Sequence, residues 1–110
     1  MADDTRAGGR LEDNGGGTLM IHGSLRNDDV VRLYDALPID ARTLRLDLTG
    51  VSAVDSAAVA MLLDWRWRQQ AIGGALQIEH APDSLRRLAA IGGVDRLLGI
   101  EGISMGATAK

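Results

Sequence analysis

No cysteine occurs among the 110 residues, so disulfides, thiolate metal sites and thiol nucleophiles are all excluded. Phenylalanine is missing too, and Tyr34, Trp65 and Trp67 are the entire aromatic content. The core must therefore be built from Leu, Val, Ile and Ala. There is no basic excess: the formal net charge is −3, the wrong sign for displacing the counterions of a nucleic acid. No uninterrupted apolar run exceeds Ala57 to Leu63, far short of a membrane-spanning helix. The opening "MADDTRAGGR" carries two acids and no apolar stretch, unlike a signal peptide. These absences predict a domain of the reducing cytoplasm that neither binds nucleic acid nor inserts directly into a membrane.

What is present is an ordinary globular balance, 45% apolar and 25% charged, at a one-domain length. Residues 1–9 read as a flexible leader. "RLEDNGGGTLMIHGSL" then reads as a strand, a glycine turn over Asn14–Gly17 and a second strand near Thr18–His22, because Asn-Gly tolerates positive φ. "NDDVVRLYDALP" has a helix's punctuation: Asn27 to cap it, Asp28 and Asp29 at the positive end of the dipole, Pro38 to stop it. Val30, Leu33, Tyr34 and Leu37 share its apolar stripe. "TLRLDL" alternates with period two and predicts a strand with Leu44, Leu46 and Leu48 on one face. A long helix follows from Ser56 to about Ile72, ended by Gly73-Gly74. "ALQIEH" is another strand, and "APDSLRRLAAIGG" a helix opened by Pro82 or Asp83. "VDRLLGIEGI" is expected to close the fold with a short strand around Leu97–Ile100. The order is β-β-α-β-α-β-α-β, an α/β domain with a mixed, mostly parallel sheet and helices packed against it.

The chemistry concentrates in "AVDSAAV", where Asp55 and Ser56 sit between a strand and the long helix. The plain reading is a helix cap, worth about 1 kcal/mol. A cap does not preclude a function, since loops leaving the carboxyl ends of strands carry the sites of open α/β sheets. A serine nucleophile lacks its parts: there is no G-x-S-x-G elbow, and only His22 and His80 are available as bases. Two isolated histidines make no metal site, and no phosphate-loop pattern occurs, so no cofactor is expected.

The long helix says more. Ala57 to Leu63 is apolar all round, and Asp64, Arg66 and Arg68 then interleave with Trp65 and Trp67. Residues two apart on a helix point about 200° apart, so the two indoles cannot enter one groove. One stripe holds Ala58, Met61, Leu62, Trp65 and Ile72; the other holds Val59, Ala60, Leu63, Trp67 and Ala71. One must pack on the sheet. The other needs a neighbouring helix or another protein, and tryptophan and arginine are the residues that dominate interfaces. Arg86 and Arg87 beside Leu85 offer a lesser surface.

"LRLDLTGVSAVDSAAVAMLL", "GGALQIEHAPDSLRRLA" and "GGVDRLLGI" together resemble the STAS domain, over about Leu19 to Ile100. The resemblance implies a STAS domain over 10–101 with a short tail at 102–110. Two branches of that family are similar to this chain. The preferred one is the small cytoplasmic STAS subunit of Mla-type ABC transporters, which move phospholipids and maintain outer membrane lipid asymmetry. It implies a non-enzymatic module that docks on the ATPase subunit at the inner face of the inner membrane. Its hydroxyl residue after the aspartate maps onto Ser56. That implies contact at Asp55, Ser56 and Ala57; with the spare stripe of the helix, where either Trp65 or Trp67 faces outward beside Arg66, the expected partner-binding residues are Asp55, Ser56, Ala57, Trp65, Trp67 and Arg66. The other branch is the anti-sigma-factor antagonists, controlled by phosphorylation by an anti-sigma factor kinase. Their usual acceptor falls on Ala57 here, which leaves Ser56 as the position that phosphorylation would have to use.

Overall fold

The computed structural model describes residues 8–38 and 42–100. The expected tail and residues 1–7 of the expected leader lie outside the described residues. The chain begins with a hairpin of β1 (Arg10–Asp13) and β2 (Thr18–Leu25). Gly15, Gly16 and Gly17 all take positive φ in its turn, which side chains beyond glycine resist. Then follow α1 (Asn27–Leu33), β3 (Thr43–Val54), α2 (Ser56–Ala71), β4 (Ala75–Glu79), α3 (Asp83–Ile91) and α4 (Asp95–Leu98). The four strands lie in the order β1-β2-β3-β4, antiparallel between β1 and β2 and parallel from there on. This is the α/β architecture that the alternation of strands and helices predicts.

The alternation of β3 decides where the core sits. Leu44, Leu46 and Leu48 are buried, while Arg45 and Thr49 are exposed on the opposite face. Each buried leucine contributes about 1.5–3 kcal/mol relative to an exposed one. They join Leu19, Ile21 and Leu25 of β2 and Leu76 of β4 in one cluster with Val30, Leu33, Met61, Leu62, Trp65, Leu85 and Ala89 of the helices. The other sheet face is polar and carries cross-strand side-chain pairs, a His22–Glu12 hydrogen bond at 2.7 Å and an Arg45–Glu79 ion pair at 3.3 Å.

Asp29, buried at the start of α1, holds the entry of the chain. Its carboxylate accepts from the Gly9 and Arg26 backbone N–H groups and from the Ser24 hydroxyl, and pairs with Arg32 at 2.8 Å. Burial pushes this carboxyl up, but the Ser24, Arg26, Gly9 and Arg32 bonds outweigh it and hold the group below its ordinary value. Gly9, the last residue of the expected leader, is thus tied into the fold, and a Cβ there would meet Ser24 O at 2.1 Å.

Two local expectations are corrected. Asn27 is the first helical residue of α1 rather than its cap; Arg26 takes the cap position, and Asp29 Oδ2 accepts the Arg26 N–H at 3.0 Å. The closing strand at Leu97–Ile100 is instead the short helix α4. Leu98 and Ile100 are buried and Leu97 is exposed, a period-two pattern that imitates a strand. The backbone turns all the same, with Leu98 N–H donating to Val94 O at 3.1 Å, and Gly99 at φ 72° ends the turn as a left-handed glycine can.

Candidate docking site on the second helix

β3 delivers the chain to Asp55, whose extended backbone places its carboxylate over the start of α2. Oδ1 accepts the Ala57 N–H at 2.9 Å, the ordinary bond of an N-cap. Oδ2 accepts the Asn27 N–H at 3.0 Å, so one side chain serves the first turns of both α1 and α2. Ser56 is the first helical residue and is exposed, and its hydroxyl has no hydrogen-bond partner among the described residues. Ala57 is half-buried beside it.

From this head the two stripes of α2 part company. Ala58, Met61, Leu62 and Trp65 are fully enclosed. Trp65 belongs to the core and not to a docking surface, which corrects its expected role. Its ring is 0% exposed, and its indole N–H donates to Tyr34 O at 2.9 Å, the partner a buried indole requires. Trp67, by contrast, is 73% exposed. Ile72, expected with the inner stripe, lies beyond the last helical residue and is exposed.

The outward stripe runs Ser56, Ala60, Leu63, Asp64 and Trp67, about 16 Å along the axis. Ala60, Leu63, Asp64 and Trp67 line a groove of about 360 Å³ whose walls are Tyr34, at the end of α1, and Leu97 of α4. Neither wall was foreseen: Tyr34 reads as core from its stripe, and Leu97 as strand. Leu97 reaches the groove because α4 turns, leaving it 61% exposed.

The two arginines of α2 near the groove, Arg66 and Arg68, are engaged within the fold. Arg66 turns away and donates to Leu76 O at 3.0 Å, bonding the backbone of the edge strand β4 rather than standing as a free rim cation. Arg68 stacks over the Tyr34 ring at 4.5 Å, donates to Tyr34 O at 3.2 Å and pairs with Asp64 at 2.7 Å. It therefore fixes the Tyr34 wall. Arg86 donates to Ala81 O and Ile100 O, whereas Arg87 is exposed.

The histidines lie elsewhere. His22 pairs with Glu12 and His80 with Asp47, neither with Ser56. The Thr49 hydroxyl and N–H, with His80, hold the Asp47 carboxyl below its ordinary value against the opposing effect of burial. Among the described residues no group of three or more His, Asp or Glu side chains is placed to hold a metal ion, and no helix is long and apolar enough to cross a membrane.

Comparison with known proteins bears on this arrangement. A family model described as "Mlab, STAS domain" matches residues 11–99. No curated protein matches the chain. Among solved structures, the unphosphorylated anti-sigma factor antagonist SpoIIAA superposes with a TM-score of 0.62 at 18% identity, over 84% of this chain and 97% of that one. The murine Solute Carrier 26 family member A9 anion transporter, in its inward-facing state, matches with a TM-score of 0.60 at 19% identity. That match covers 76% of this chain and 15% of the transporter. At such identities the likeness is one of fold.

Proposed function

The chain belongs to the STAS domain family, and from that membership we propose that it is a non-enzymatic docking module for the ATPase subunit of an Mla-type phospholipid ABC transporter. The observation that carries this reading is the outward stripe of α2. It offers an exposed indole, an apolar groove and an unengaged serine along one helix, and the fold itself covers none of them. Solvent-exposed tryptophan at the edge of an apolar groove is the usual composition of an interface anchor. The module sits in the cytoplasm, reaching the inner face of the inner membrane only through its partner. It acts by population shift: binding one conformation or assembly state of the ATPase better than another favours that state, with no contact to lipid or nucleotide.

Ser56 supplies the test. A glutamate there adds a charge next to Asp55, and a docked surface would have to bury both. We expect Ser56→Glu to weaken binding to the purified ATPase subunit by tenfold or more, on the order of 1.4 kcal/mol. The melting temperature should move by only a few degrees. Unchanged affinity would reduce the junction to a cap.

The exposed Ser56 hydroxyl also favours a second reading, an anti-sigma-factor antagonist switched by phosphorylation. The residue following it, Ala57, has no hydroxyl to modify. Incubation with an anti-sigma factor kinase and ATP should leave Ser56 unmodified if transporter docking is the role. Stoichiometric phosphate on Ser56 would reverse the choice.

A further inference from the structure

The groove's charge says what it takes, given the docking role proposed above. Of its six lining side chains only Asp64 is ionised. Asp64 Oδ2 lies 2.7 Å from Arg68 Nε as an ion pair but is buried with no directed hydrogen bond, and Oδ1 accepts none among the described residues. Asp35, just beyond the Tyr34 wall, has a side chain 92% exposed and only a 3.6 Å approach to Arg68. Two carboxylates therefore share one guanidinium, which is already spread over the Tyr34 ring and carbonyl. Arg66 keeps its charge but directs it to Leu76 O on β4, and it is not among the groove's lining residues. What remains is an apolar trough whose one lining carboxylate, Asp64, shares its guanidinium with Asp35, and an exposed Trp67 at its end.

We infer that the groove receives an apolar segment of the ATPase subunit flanked by a lysine or arginine, the cation meeting Asp64 and lying on Trp67. A basic side chain there completes the ion pairing and gains the attraction of the indole face. An acidic segment would bring like charge to Asp64 and strip its water without replacement, so the same carboxylate that attracts one partner rejects the other.

The test uses the unaltered full chain and two synthetic amphipathic helices of equal length, one of Leu and Lys and one of Leu and Glu, followed by tryptophan fluorescence, in which the enclosed Trp65 stays constant and the exposed Trp67 responds. The Leu/Lys helix should bind and shift the emission, while the Leu/Glu helix should not. Asp64→Asn should weaken Leu/Lys binding roughly tenfold at low salt and flatten its salt dependence. Asp83→Asn, an equal charge change on α3, should leave it alone. The same pair of variants titrated with the purified ATPase subunit should give the same ranking. Equal binding of both helices, binding of neither, or equal effects of the two variants would overturn the inference. In those cases the docking role itself still stands if Ser56→Glu weakens ATPase binding, and falls with it if Ser56→Glu does not.

Discussion

The two sides of α2 have nearly the same composition and opposite fates. The inner side, with Met61, Leu62 and Trp65, is closed on the sheet; the Trp65 indole N–H is satisfied by Tyr34 O and the buried Gln69 amide donates to Arg42 O. The outer side, with Ala60, Leu63 and Trp67, meets only the rims provided by α1 and α4. Hydrophobicity alone does not separate them. One difference is an acceptor for the indole N–H, which Tyr34 O provides at the end of α1 and which Trp67 lacks among the described residues. The lesson is that a helix apolar all round, in a domain with helices on one sheet face, keeps one stripe for its own fold and leaves the other for an interface.

The sharpest way to break this contrast is to truncate each indole. Trp65→Ala should cost about 3–5 kcal/mol by chemical denaturation, from lost packing and the cavity left behind. If it cost under 1 kcal/mol, the division into core and interface would be wrong. Next in size, Asp29→Ala should lose about 2–3 kcal/mol, since it strands several donors at the foot of α1.

Acid sharpens the same comparison. Asp29 is held below its ordinary value of 3.8, so the unfolded chain takes up its proton first. Its contribution is complete above the unfolded value and is lost as pH falls through the folded one. Stability measured against pH should therefore be flat in this respect near neutrality and decline below about pH 4. Asp29→Asn should reduce that acid slope. An unchanged slope in the variant would mean that the buried node is not what acid attacks.

Smaller effects follow at the helix heads and on the outer side. Asp55→Ala should cost about 1–2 kcal/mol, because it removes an N-cap bond and the bond to Asn27. Trp67→Ala should change stability by less than about 0.5 kcal/mol. It should nonetheless remove most of the affinity for the ATPase subunit in a titration. A Trp67→Ala variant that unfolds easily but binds normally would invert the assignment.

Much of the fold is legible in the residues themselves. The alternation of Leu44, Leu46 and Leu48 marks β3, Gly73-Gly74 ends α2, and the glycine run over 15–17 makes the hairpin. Local chemistry determines these features, so local reading finds them. α4 imitates a strand because Leu98 and Ile100 alternate with exposed neighbours; Gly99 just after Leu98 is its helix-ending signal. In the candidate site, the head at Asp55 and Ser56 and the existence of two stripes are visible in sequence, but the choice between tryptophans is not. Trp65 is drawn inward by a carbonyl 31 residues away in the chain. The walls Tyr34 and Leu97 likewise come together only in three dimensions. The retreat of Arg66 to Leu76 O depends on β4 being the edge of the sheet.

The forked carboxylate of Asp55 has a mechanical meaning. With one oxygen on Ala57 N–H and the other on Asn27 N–H, it rivets the amino ends of two neighbouring helices together. The spacing between α1 and α2 at that end is then set by the width of a single side chain. Whatever engages Asp55 at the head therefore acts on the first turns of both helices at once.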